Sequence, residues 1–236
     1  ILVTLVIVIG LCGGNAYATK DLGSSRLFTT SKCFDLISSI QYFDKIKDNS
    51  HFCHLTTDST FMHHLEQINE SVTASKLCNF YATFNDDRND IDACIHFFAS
   101  LHDSETGNPD NSEWIKNIIG LQSQLTYCLS AINKSGYSRY WDLEINPVLT
   151  GYIDSYEVSD EILNTIHEAM TEFSGPEGLS ETHSNIYVLN IDNAFNLSDE
   201  SFCCTPLLLD KEMEKQFRLD FLKVYIHENL HRLKIS

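Results

Sequence analysis

The 236 residues carry 33 Asp and Glu against 16 Lys and Arg, a net charge of −17. Such a balance would repel a phosphate backbone and argues against nucleic acid as a partner. The length allows one large domain or two small ones, with ample room for a buried core.

Residues 1–14 form an apolar run without charge, and Ala16 and Ala18 then give a small-x-small pattern. This predicts a signal peptide over residues 1–18, cleaved before Thr19, and is shorter than a comfortable membrane span. No later segment is apolar enough to cross a bilayer, so the expectation after cleavage is a secreted, extracellular protein with no membrane partner. With no initiator Met and no basic segment before the apolar run, the chain is expected to be a fragment at its start.

Cleavage removes Cys12 and leaves Cys33, Cys53, Cys78, Cys94, Cys128, Cys203 and Cys204. In a secretory compartment most of these should be oxidised. No pair has C-x-x-C spacing, which argues against a zinc knuckle or a thioredoxin-type redox site. Cys33–Cys53 and Cys78–Cys94 are the expected bridges, because each joins the start of a predicted helix to a segment one connection away. The odd count leaves one thiol free, paired between chains, or without its partner. Sequons at Asn69, Asn133 and Asn196 suit a glycoprotein surface.

Apolar residues Cys33, Leu36, Ile37, Ile40, Phe43 and Ile46 keep helical spacing and predict a helix over residues 33–47. A second helical region starts at Ser59, with Phe61, Leu65, Ile68 and Val72 on one face, and bends or breaks before Leu77. Asn89 is the expected cap of a third helix carrying Ile91, Cys94, Ile95, Phe98 and Leu101. The acids Asp86, Asp87, Asp90 and Asp92 lack the Gly and final Glu of a calcium loop and read as helix-start acids. Residues 103–111 are turn-forming. Ile115, Ile118, Leu125, Leu129 and Ile132 then predict a helix over residues 112–134, with Gly136 as its left-handed C-cap. Helices so closely spaced make a bundle the expected architecture of residues 19–136.

Past Tyr137 no period is clear, and the stretch around Tyr140, Trp141, Pro147, Gly151 and Tyr156 reads as loop with room for one strand. The aromatic cluster Tyr137, Tyr140, Trp141 and Tyr152 reads as packing rather than a carbohydrate platform. Ser159 starts a helix with Ile162, Ile166, Ala169, Met170 and Phe173 inward, stopped by Gly175 and Pro176. Residues 185–191 form the best strand by their β-branched and aromatic content. Thr205-Pro206 opens a last helix to about residue 234. The expected fold is mainly α with an α+β part. A disulfide-braced helical bundle (19–136) is followed by a smaller α+β region (137–236) that ends in a long helix.

That helix carries His227, Glu228 and His231, spelling H-E-x-x-H. Histidines four apart lie one turn above each other on a helix and can grip one Zn²⁺, and the glutamate between them is placed as a general base. One apolar stripe (Leu209, Met213, Phe217, Phe221, Val224) shares a face with the histidines. A second stripe (Leu219, Leu222, Ile226, Leu230, Leu233) predicts a helix buried on two sides. The other histidines, His51 and His54 around Cys53 and the adjacent His63 and His64, make weaker metal candidates. Cys53 is expected in a disulfide, and adjacent helical residues face different ways. Adjacent Cys203 and Cys204 are expected to bridge to different partners. The mature chain has no G-x-S-x-G, P-loop or G-x-G-x-x-G motif.

The region from residue 185 to 236 resembles the zincin superfamily of metallopeptidases. The resemblance implies that His227 and His231 are zinc ligands, that Glu228 activates water, and that the strand at 186–191 holds the substrate. Arg232 stands where the family prefers an uncharged residue. The family's third ligand, a downstream His, Asp or Glu, has no counterpart in the five residues after His231. The chain is truncated there, the ligand comes from upstream, or there is no site. The function expected is a secreted zinc metallopeptidase or zincin-derived protein acting on a peptide or protein substrate. The alternative is a non-enzymatic secreted helical glycoprotein acting by ligand or extracellular protein binding.

Overall fold

The computed structural model describes residues 28–101, 113–155, 185–197, 201–206 and 224. The signal-peptide cleavage site, the loop at 103–111 and the helix expected from Ser159 lie outside these residues. The fold is mostly helical with a small four-stranded sheet, a mainly α protein with an α+β part.

At the centre is helix α1 (Lys32–Ser38), in which Cys33 to Ser38 are all buried. Ser31 caps it, accepting from the Phe34 N–H and donating to the Arg88 carbonyl. The expected stripe to Ile46 is buried throughout, but the helix stops at Ser38. The Ser39 hydroxyl donates to the Leu36 carbonyl at 2.6 Å, the local competition by which serines end helices. Turns and a 3₁₀ segment (Phe43–Lys45) carry the remaining apolar residues inward, and a second 3₁₀ segment (Cys53–Thr57) follows.

Helix α2 (Ser59–Ser71) is capped by Asp58, which accepts from the Thr60 and Phe61 N–H groups. It buries Phe61, Leu65 and Ile68, and the expected break follows at Val72-Thr73 before α3 (Ala74–Phe84). Helix α4 (Ile91–Ala99) is capped by Asp90, one residue later than expected, through the Ala93 N–H. The single helix expected over 112–134 is two, α5 (Glu113–Gly120) and α6 (Gln122–Lys134). Gly136 has φ 95°, the left-handed conformation its C-cap role requires.

Residues 137–155 are helical, not loop. Helix α7 (Tyr137–Tyr140) runs into a π turn (Trp141–Ile145) and then α8 (Asn146–Ser155). The buried residues are Tyr137, Trp141, Ile145 and Leu149, at a constant interval of four. That interval slips off a 3.6-residue stripe, and the wider π turn brings it back to one face. Pro147, which cannot donate a backbone N–H, sits just past the π turn.

The sheet is ordered β1-β2-β4-β3. Strand β1 (Phe28–Thr29) pairs parallel with β2 (Ile186–Val188), in register Phe28 to Ile186. Strand β2 pairs parallel with β4 (Phe202–Cys204), and β4 antiparallel with β3 (Ala194–Asn196). The inner strands β2 and β4 are buried at every residue, as strands covered on both faces are. Phe34 of α1 meets Tyr187 edge-on at 5.0 Å, so the central helix lies against the sheet. Among the described residues no disulfide joins any cysteine. Cys33, in the buried first turn of α1, faces the interior, whereas Cys53 is on an exposed 3₁₀ turn. Neither the expected Cys33–Cys53 bridge nor the expected Cys78–Cys94 bridge is shown among the described residues.

Candidate functional site

His227, Glu228 and His231 lie outside the described residues, as does almost all of the segment expected to form the last helix. Pro206 stands two residues past the end of β4, and Val224, on the stripe assigned to the histidines, is helical and half-buried against the core. Among the described residues no group of three or more His, Cys, Asp or Glu could hold a metal ion. Strand β2 sits between β1 and β4. It therefore has no free edge with which to hold a substrate, contrary to the role the resemblance gives the strand at 186–191. Among the described residues β1 and β3 are the outer strands of the sheet.

The most unusual polar group described is Asp35, 3% exposed in the middle of α1. Its carboxyl accepts the indole N–H of Trp141 at 2.8 Å and the backbone N–H of Asn190 at 2.6 Å. The π turn and the end of β2 thereby meet on one side chain of the central helix. Burial pushes this carboxyl up to about 7, against the two donated hydrogen bonds, which favour the ionised form. Tyr137 and Cys78 are the titratable neighbours, each held neutral chiefly by burial and further by the Asp35 charge. Two cations lie on the rings around it, Arg88 over Phe34 and Lys32 over Trp141, each at 5.2 Å. Sequence reasoning missed this node. The available signal was a carboxylate among Cys33, Phe34, Leu36 and Ile37, since Asp is almost never buried without partners.

Beside it lies a cluster of thiols. Cys33 Sγ approaches the Asp90 carbonyl at 3.3 Å, and the Tyr81 hydroxyl points to the same sulfur at 3.8 Å while bonding the Asp87 carbonyl at 2.9 Å. Burial pushes the Cys94 thiol well above the ordinary range. Cys78, pushed up to about 12 by burial, contacts the Ser38 hydroxyl at 3.6 Å. Cys94 and Cys78 are thereby held as thiols in the folded protein.

The weaker metal candidates do not converge. Cys53 Sγ meets the Ser50 carbonyl at 3.7 Å, and His54 Nε2 faces Ser135 Oγ at 3.3 Å. His64 Nδ1 faces Gln67, and its ring packs edge-on against Tyr127. The acidic run does what helix-start acids do. Asp87 accepts from the Asn89 and Asp90 N–H groups, and Asp90 caps α4. Tyr137 and Trp141 are buried, and Phe52 packs against Tyr137 and Tyr140, so that cluster is packing. Of the sequon residues Asn69 is exposed, and Asn133 and Asn196 are half-buried. Compared with known proteins, the chain matches no family model, no curated protein and no solved structure.

Proposed function

We propose that this protein is a secreted zinc metallopeptidase or a zincin-derived relative that hydrolyses peptide bonds. The observation that carries the reading is the spacing His227-Glu228-x-x-His231 in a helix-forming segment. Two imidazoles one helical turn apart with a carboxylate between them suit Zn²⁺ by donor chemistry and reach. When bound, the ion supplies Lewis acidity toward water and the scissile carbonyl. His227 and His231 hold it. Glu228 takes the proton from the attacking water and returns it to the leaving amine.

A second reading, ligand or protein binding by a secreted helical glycoprotein, is favoured by one finding. The strand that the resemblance makes the substrate strand is enclosed on both sides. Two substitutions separate the readings. Glu228→Gln should keep the metal and abolish peptide hydrolysis, because it removes a base and not a ligand. His231→Ala should lose both. On the binding reading neither variant changes metal content, and each shows only the modest stability loss of an altered helix face.

A further inference from the structure

Helix α1 begins against the segment that leads into α4. The Cys33 N–H donates to the Arg88 carbonyl at 2.9 Å, and one carbonyl, that of Asp90, receives both Cys33 Sγ at 3.3 Å and the Cys94 N–H at 2.9 Å. The two residues are thus held on one peptide unit, with both side chains 0% exposed. The Tyr81 hydroxyl, 3.8 Å from Cys33 Sγ, lies beside both side chains. Three other sulfurs have contacts of their own. Cys78 contacts Ser38 and the Phe34 carbonyl, Cys128 the Phe61 carbonyl, and Cys53 the Ser50 carbonyl at the surface.

We propose that Cys33 and Cys94 are a disulfide-forming pair that staples the start of α1 to α4 when the chain folds in the presence of a disulfide donor. The step is thiol–disulfide exchange with a small-molecule or protein disulfide R–S–S–R. The thiolate of one cysteine attacks the donor and releases R–S⁻. The second thiolate then attacks the mixed disulfide, forming the Cys33–Cys94 bond and releasing a second R–S⁻. The two cysteines lose two electrons and two protons, and the donor leaves as two R–SH. Exchange needs an open approach to sulfur, and in the folded core both residues are fully buried. The bridge therefore forms while α1 and α4 are still docking, and once formed it is shielded from reductants. It closes a long loop, the case in which constraint of the unfolded chain stabilises most. The pairing does not depend on the zinc reading.

The test is a peptide map of the full chain, refolded from the reduced state in a mixture of oxidised and reduced glutathione and alkylated without reduction. The expected product is one linked peptide pair carrying Cys33 and Cys94. Cys33→Ser and Cys94→Ser should each lower Tm by roughly 10 °C, and the double variant by no more than either alone. Recovery of both residues as alkylated thiols, or either one linked to a different cysteine, overturns the proposal. The wild-type map decides this even if a variant fails to fold.

Discussion

The helical body from α1 to α6 and the junction where α7, the π turn and β2 reach α1 are held by different physics. In the body, apolar stripes at helical spacing meet in one core, and the ends are fixed by nearby caps such as Asp58 and Asp90. At the junction a single buried carboxyl joins segments 106 and 155 residues away in the chain. The first kind of contact is many-fold and replaceable. The second is concentrated on two hydrogen bonds and a titratable group, so the two regions should respond differently to substitution and to pH.

The largest effect is expected in the body. Phe61 is fully buried and packs on Phe43 at 5.0 Å. Phe61→Ala should cost about 3–5 kcal/mol in denaturant unfolding, by lost burial and a residual cavity. The cost should be the same at pH 5 and pH 8.

At the junction, Asp35→Ala leaves the Trp141 and Asn190 N–H groups buried without an acceptor, at a cost of roughly 2–4 kcal/mol. Its signature is the pH dependence. The Asp35 carboxyl keeps its proton up to about 7 when folded and releases it near 3.8 when exposed. The folded state therefore binds more protons between those values. The stabilisation that follows is fully present below about 3.8 and is lost as pH rises through about 7. Unfolding measured across that range should show a downward slope in the wild type that Asp35→Ala abolishes. A slope unchanged in the variant would remove Asp35 from this role.

The smallest effect is at a cap. Asp90→Ala removes the acceptor for the Ala93 N–H at the start of α4 and should cost about 1 kcal/mol. A much larger loss would mean that the Asp90 side chain does more than cap α4.

The same contrast explains what could be read from the sequence. Stripes such as Phe61, Leu65, Ile68 and Val72 were legible because a helix repeats every 3.6 residues and its neighbours are local. The stripe from Cys33 to Ile46 was legible as buried but not as turns and 3₁₀ segments, because Ser39 diverts the backbone at a point that apolar periodicity does not mark. Tyr137, Trp141, Ile145 and Leu149 were illegible because their interval of four matches neither a regular helix nor a strand. Asp35 was hidden because Trp141 and Asn190 are brought to it only by tertiary folding. The interior place of β2 was hidden too, since β-branched content marks a strand without saying which strands flank it. The candidate zinc ligands stand at the opposite extreme. His227, Glu228 and His231 are named wholly by local spacing, which is why they could be proposed with no knowledge of the surrounding fold.

Zinc content tests the central claim most directly. The full-length wild-type protein, purified without chelator after expression with zinc supplied, should contain about one zinc per chain by elemental analysis, since such a site binds a single ion. A metal-free wild-type protein under those conditions would contradict the metallopeptidase reading and leave ligand or protein binding in its place.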